Sequence, residues 1–172
     1  MIRVAIITVS DSAVAGTRED KSGPAVSARC ESLEWKVIRR DIVVDDSEQI
    51  SELLKDIADH GKCDVILTTG GTGVALRDVT PEATLAVIER EVPGLPELIR
   101  MEGLKYTPLS VLSRAVCGTR RRSLILNLPG SPTGAVESLD VVVHLIPHIV
   151  NLLHGHTEHS QPPETVKNLG TS

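Results

Sequence analysis

The sequence predicts an α/β fold, a three-layer sandwich with a mostly parallel central sheet, helices on both faces and a small antiparallel addition at one edge. Apolar runs at residues 4–9, 35–44 and 65–69 read as strands buried on both faces. Helical patterns at 24–33 and 47–59 separate them, as crossovers between parallel strands require, and the default crossover is right-handed. Glycine and proline fall where the apolar runs end, so the punctuation of the chain agrees with this alternation.

The first strand is too short to span a membrane and has no signal-peptide cleavage pattern behind it. The loop that leaves it carries Ser10, Asp11 and Ser12. The helix at 24–33 leads to the second strand, which ends in Asp45-Asp46, either of which can cap the helix at 47–59. The third strand runs into Gly70-Gly71-Thr72-Gly73. Thr80 then suits an N-cap, Pro81 a first helical residue and Glu82 the positive end of a helix dipole, which predicts a helix over 81–90. A second helix over 95–103 follows the Pro93-Gly94 break. Residues 115–128 read as two strands joined at 118–122, the antiparallel edge addition. Ser131 caps a helix whose first residue is Pro132, and the helical pattern over 133–153 contains Pro147, where a kink or break is expected. The domain is therefore 1–156, and the polar stretch 157–172, with Pro162-Pro163, reads as a disordered tail.

Composition removes several function classes. With 1% aromatic residues, namely Trp35 and Tyr106, the core must be aliphatic, and stacking platforms for single-stranded nucleic acid are missing. A net charge of −5 gives no general attraction to a polyanion, so an anionic small molecule needs local donors or a metal. Cys30, Cys63 and Cys117 are scattered and odd in number, which argues against a disulfide framework and places the chain in a reducing, cytoplasmic setting. They read as core residues. His144 and His148 have metal-pair spacing, but Pro147 interrupts them, so these histidines and His154 read as surface residues. The triplet Arg120-Arg121-Arg122 reads as a solvated hairpin tip.

The chemistry concentrates at the glycine-rich turn. Without a Cβ, Gly70, Gly71 and Gly73 can adopt positive φ and bring main-chain N–H groups close to an anion, and Thr69 and Thr72 add hydroxyl donors. Arg77, Asp78 and Thr80 follow at once, more than a plain strand-to-helix connection needs. The second turn, Pro129-Gly130-Ser131-Pro132, again leaves free N–H groups at a strand's carboxyl end, where open α/β sheets bind ligands. Neither a P-loop nor a dinucleotide-binding glycine fingerprint is present in the sequence.

With these residues assembled, the chain resembles the molybdopterin adenylyltransferases of the Mog/MoaB family, the domain type of the gephyrin G domain. The segments that carry the resemblance are Thr8-Val9-Ser10-Asp11-Ser12, Thr68-Thr69-Gly70-Gly71-Thr72-Gly73, Arg77-Asp78-Val79-Thr80-Pro81-Glu82-Ala83-Thr84, Leu112-Ser113-Arg114 and Asn127-Leu128-Pro129-Gly130-Ser131-Pro132. The resemblance implies magnesium-dependent adenylyl transfer from ATP to molybdopterin, with release of pyrophosphate, in molybdenum cofactor biosynthesis. It also implies a homotrimer or hexamer, a molybdate-inserting enzyme as pathway partner, and no nucleic-acid or membrane partner. Asp78, Asp45 and Ser113 match catalytic positions, with Asp78, Asp45 and Asp11 as magnesium candidates. Binding of substrate falls to Thr69, Gly70, Gly71, Thr72, Gly73, Arg77, Thr80, Pro129, Gly130, Ser131, Ser10 and Asp11. Val44 stands where the family has proline and Asp46 follows Asp45 directly, so the acid of that pair remains open. The alternative function is a carrier or scaffold of the same fold that binds molybdopterin without transfer.

Overall fold

The computed structural model describes residues 1–156, and the tail expected over 157–172 lies outside them. Six strands form one sheet in the order β2-β1-β3-β6-β5-β4. β1 (Arg3–Val9), β2 (Lys36–Val43), β3 (Val65–Thr69) and β6 (Ser123–Leu128) are parallel, while β5 (Cys117–Arg120) runs antiparallel to β6 and to β4 (Arg90–Glu91).

Alternate residues of the central strands serve opposite layers, as the two-residue period of a strand dictates. Val4 and Ile6 of β1, with Val65, Leu67, Leu124 and Leu126, pack under α2 (Ser22–Ser32), α5 (Gly94–Gly103), α6 (Pro132–Val142) and α7 (Ile146–Leu153). Ala5, Ile7, Ile66 and Ile125 pack under α3 (Ser47–Asp59) and α4 (Thr80–Leu85). Both layers are aliphatic apart from Trp35 in the first. Burial pushes the Cys63 thiol up to about 11 and those of Cys30 and Cys117 up to about 12, so all three stay protonated and inert. Among the described residues no single helix is long and apolar enough to cross a membrane.

Several expectations change. The helix expected over 81–90 stops at Leu85, because Glu89 and Val92 donate to Thr119 and Cys117 and draw Arg90–Glu91 into the sheet as β4. The helix expected over 133–153 is two, inclined by 66°, with Pro147 in the first turn of α7. α1 (Asp11–Val14) and a 3₁₀ helix (Pro108–Leu112) were not anticipated. Arg120 is no solvated tip: it donates to both Asp59 oxygens, at 2.9 and 2.7 Å, and ties the β5–β6 hairpin to the end of α3.

His154 also departs from a surface role. Its Nε2 stands 3.0 Å from the Asp64 carboxylate, which is itself 4% exposed and accepts from the Arg3 main chain and guanidinium at 2.7 to 3.0 Å. Burial pushes the Asp64 carboxyl upward, but its bonds to Arg3 and the neighbouring positive charges outweigh that and hold it below the usual carboxylate range.

Candidate active site at the carboxyl ends of the parallel strands

The parallel register sets Thr8 opposite Thr69 and Thr69 opposite Leu128, so the loops that follow β1, β3 and β6 leave the sheet side by side. β1 lies between β2 and β3, which makes this edge the point where the strand order reverses and a crevice opens.

The turn after β3 contains two left-handed glycines, Gly70 at φ 105° and Gly71 at φ 66°. A Cβ on Gly70 would meet the Val9 carbonyl oxygen at 2.3 Å, and its N–H donates to the Leu128 carbonyl at 3.2 Å. Strand β3 therefore exits wedged between its two neighbours. A Cβ on Gly71 would stand 2.3 Å from the Thr80 hydroxyl. Gly73 does not have the positive φ expected of it; a Cβ there would stand 2.7 Å from Asp78 Oδ2, so a larger residue would displace that carboxylate.

Thr80 is the first residue of α4 rather than its cap, and its buried hydroxyl donates to the Gly70 carbonyl at 2.9 Å. Thr84 in turn donates to the Thr80 carbonyl at 2.8 Å, and the buried Asn127 amide donates to the hydroxyls of Thr84 and Thr68, at 2.9 Å each. Asn127 also accepts from the Val116 N–H at 3.0 Å. A buried, satisfied polar chain thus fixes the turn from inside the core.

Two cavities flank this turn. One, of about 410 Å³, is polar and is walled by the loop after β1, by Asp45 and by Arg77. The other, of about 500 Å³, is more apolar, with Ile99, Leu109, Leu112 and Val141 on its walls and Tyr106 beside them. Gly71, Asp78, Gly130 and Ser131 line both and form a shared threshold.

The two acids after β2 separate by role. Asp46 caps α3, accepting from the Gln49 N–H at 2.9 Å. Asp45, only 5% exposed at its side chain, faces the polar cavity. It accepts from the Asp11 N–H at 3.0 Å, and Asp11 accepts from the Asp45 N–H at 2.8 Å. The Arg77 guanidinium bridges these carboxylates, 3.2 Å from Asp11 and 3.4 Å from Asp45. Asp78 Oδ2 accepts from the Ala75 N–H at 3.0 Å, so an Asx-like local bond and a place on the threshold coexist.

The other candidates fall into two groups. Thr72, Gly73, Ser113 and Pro129 line the apolar cavity, while Ser10 and Thr69 line the polar one. Several have structural duties as well: Ser10 caps α1, Ser131 caps α6, and Thr69 donates to the Pro129 carbonyl at 2.6 Å. Thr80 and Asp11 line neither cavity. Sequence reasoning missed the loop Arg18-Glu19-Asp20-Lys21-Ser22, which walls the polar cavity. Asp20 accepts from the Thr8 hydroxyl at 2.8 Å and from the Gly23 N–H at 3.0 Å. Its signal was a charged run ending in Ser22-Gly23-Pro24 just beyond the first strand, at the sheet edge where a ligand is expected.

Residues 5–148 match the family described as "probable molybdopterin binding domain". The chain is 42% identical over 156 residues to the molybdopterin adenylyltransferase of Helicobacter pylori strain J99, covering 90% of this chain and 89% of that protein. It is 38% identical over 174 residues to the enzyme of the same name from Escherichia coli K12, covering 90% and 86%. Among solved structures it is similar to the molybdopterin biosynthesis enzyme MoaB of Thermus thermophilus, with 48% identity, a TM-score of 0.85, and 90% and 98% of the two chains covered.

Proposed function

The chain belongs to the molybdopterin-binding domain family, and on that premise we propose how its two cavities divide an adenylyl transfer between them. The protein is an enzyme of molybdenum cofactor biosynthesis, a molybdopterin adenylyltransferase. In our reading ATP occupies the polar cavity and molybdopterin the apolar one. A terminal phosphate oxygen of molybdopterin then forms a bond to the α-phosphorus while the bond from that phosphorus to pyrophosphate breaks. The observation that carries this reading is the shared threshold, because Gly71, Asp78, Gly130 and Ser131 border both chambers where the reacting groups would meet.

Two anions must be brought together, so positioning and charge neutralisation are the main tasks of the protein. The glycine turn offers main chain rather than side chain to both cavities, which lets N–H groups approach a phosphate closely. Arg77, 60% exposed, has the reach to turn from the carboxylates to a phosphate. Asp78, tethered by Ala75, is placed to orient the transferred group. Magnesium fits Asp45 and Asp11, whose hard oxygens already share a cation in the form of Arg77, and Asp78 is the further candidate across the threshold. Bound there, magnesium would supply neutralisation of charge on the phosphates. Ser113 borders the pterin side.

We also place the enzyme in the cytoplasm, as a homotrimer or hexamer whose product passes to a molybdate-inserting enzyme. Exposed Met101, Leu104, Leu109 and Val111 beside the apolar cavity support a subunit boundary there. A carrier has no use for a carboxylate on the threshold, where it repels both ligands, so the alternative of binding without transfer is not favoured.

The test mixes purified protein with molybdopterin, ATP and magnesium and follows pyrophosphate and the adenylylated pterin. Asp78→Asn should fold and bind molybdopterin while turning over about a hundredfold more slowly, the scale of one preorganised electrostatic group. Wild-type transfer by that variant would confine Asp78 to a role in the turn.

A further inference from the structure

We propose that Arg114 is a positioning residue for the transfer: its guanidinium grips the loop from Gly73 to Asp78 at both ends and so fixes the Asp78 carboxylate. The proposal rests on the reading of Asp78 given above. The loop has little apolar anchorage, since Val74 and Leu76 are exposed. Its internal bonds, Asp78 N–H to the Ala75 carbonyl at 2.9 Å and Ala75 N–H to Asp78 Oδ2 at 3.0 Å, close it on itself without tying it to the body.

Arg77 ties the loop outward through its ion pairs with Asp11 and Asp45, and Arg114 supplies the tie to the main chain at both ends. Its backbone N–H donates to the Thr72 carbonyl at 2.9 Å, its Nε to the Gly73 carbonyl at 2.7 Å and its Nη2 to the Asp78 carbonyl at 2.6 Å, while Nη1 pairs with Glu82 in the first turn of α4. One planar group therefore spans the loop's entry, its exit and the helix behind it. The bond from Arg114 holds the Glu82 carboxyl below its usual range, more than offsetting a small effect of burial, so this partner keeps its charge. The segment that carries Arg114 is itself fixed to the core, because Val116 donates to the buried Asn127 side chain. Arg114 lines neither cavity, and in this proposal it acts through Asp78. Lysine cannot replace it, because a single ammonium lacks the fixed fork that reaches two carbonyls at once.

The experiment compares Arg114→Gln, Arg114→Lys, Asp78→Asn and the double variant Arg114→Gln/Asp78→Asn. Arg114→Gln should lower kcat by about ten- to a hundredfold while KM for ATP stays within about threefold. Arg114→Lys should recover most of the thermal midpoint but not kcat. In the double variant kcat should fall no further than in Asp78→Asn alone, because the group being positioned is already gone. Amide exchange over residues 74–78 should speed up by about tenfold or more in Arg114→Gln, with β3 and β6 unchanged. Wild-type kcat in Arg114→Gln or Arg114→Lys, or losses that multiply in the double variant, would overturn the proposal. If Asp78→Asn transfers at the wild-type rate, the reading of Asp78 fails on its own account; exchange then decides for Arg114, and unchanged exchange over 74–78 refutes the grip. Should Arg114→Gln not fold, the lysine variant carries the same kinetic and exchange comparisons.

Discussion

Replacing Gly71 by alanine tests the geometry of the glycine turn against a control within the same chain. Gly71 and Gly61 have nearly the same backbone, φ 66° and 69°, but a Cβ on Gly61 would meet nothing within 4 Å. Left-handed geometry costs an L-residue about 1–2 kcal/mol, so Gly61→Ala should destabilise by that amount alone. At Gly71 the new methyl would lie 2.3 Å from the Thr80 hydroxyl, which is held by its bond to the Gly70 carbonyl. Relief means moving Thr80 and breaking that bond, about 1 kcal/mol for the bond itself and about 1–3 kcal/mol in all when a buried partner is left unpaired. Gly71→Ala should therefore cost about 2–5 kcal/mol. The stabilising effect of alanine on the unfolded chain is common to both variants and cancels in the comparison. Urea unfolding at fixed pH measures both, with equal slopes as the check on two-state behaviour. In parallel, pyrophosphate release should survive in Gly61→Ala and collapse in Gly71→Ala, whose methyl also approaches Asp45 Oδ1 to 3.2 Å. Equal destabilisation of the two variants would refute the reasoning, because only the contacts with Thr80 and Asp45 distinguish them.

The acids after β2 should separate cleanly. Asp46→Ala should lose about 1 kcal/mol of stability through its helix cap with normal transfer, whereas Asp45→Asn should fold and lose turnover; the reverse pattern in a stability and activity assay would exchange their roles. For Asp64, whose carboxyl is lowered in the folded state, the stabilisation is present above the unfolded value of about 3.9 and is lost as pH falls through the folded value. Asp64→Asn should thus cost on the order of 2 kcal/mol at neutral pH, and the gap from wild type in urea unfolding should narrow below about pH 4; a gap of constant size at pH 7 and pH 3 would remove Arg3 as the cause. Light scattering should give a multiple of the 18.5 kDa chain mass, and a monomer at micromolar concentration would defeat the proposed boundary beside the apolar cavity.

The layered fold was legible because it depends on period and punctuation. Ile50, Leu54 and Ile57 recur on one helical face, and Ser131-Pro132 marks the start of α6 as expected. Boundaries failed where a distant partner decided them. Nothing local in Ala86-Val87-Ile88 ends α4; the stop comes from Thr119 on β5. The candidate site was legible in part, since Gly71, Asp78, Gly130 and Ser131 border both cavities and Gly70 the polar one. What local reading misassigned was the direction in which a hydroxyl points. Thr80 has the right type for a cap, yet its environment is set by Gly70, ten residues earlier. Gly73 looked like a residue chosen for conformation, yet its φ is not positive and a Cβ there would crowd Asp78. The sequence does not show what sets Asp45 and Asp46 apart in their contacts: Asp46 caps α3, while Asp45 exchanges bonds with Asp11, 34 residues away in the chain.

The scarcity of aromatic side chains leaves two optical reporters at separate places. Trp35 is buried beside Cys30 in the core layer, just before Lys36, which pairs with Arg3 at the amino-terminal end of the sheet. Tyr106 stands on the wall of the apolar cavity at the opposite end. Unfolding consequently exposes Trp35, whereas occupancy of the apolar cavity changes the surroundings of Tyr106, so the two rings report on different events in the same molecule.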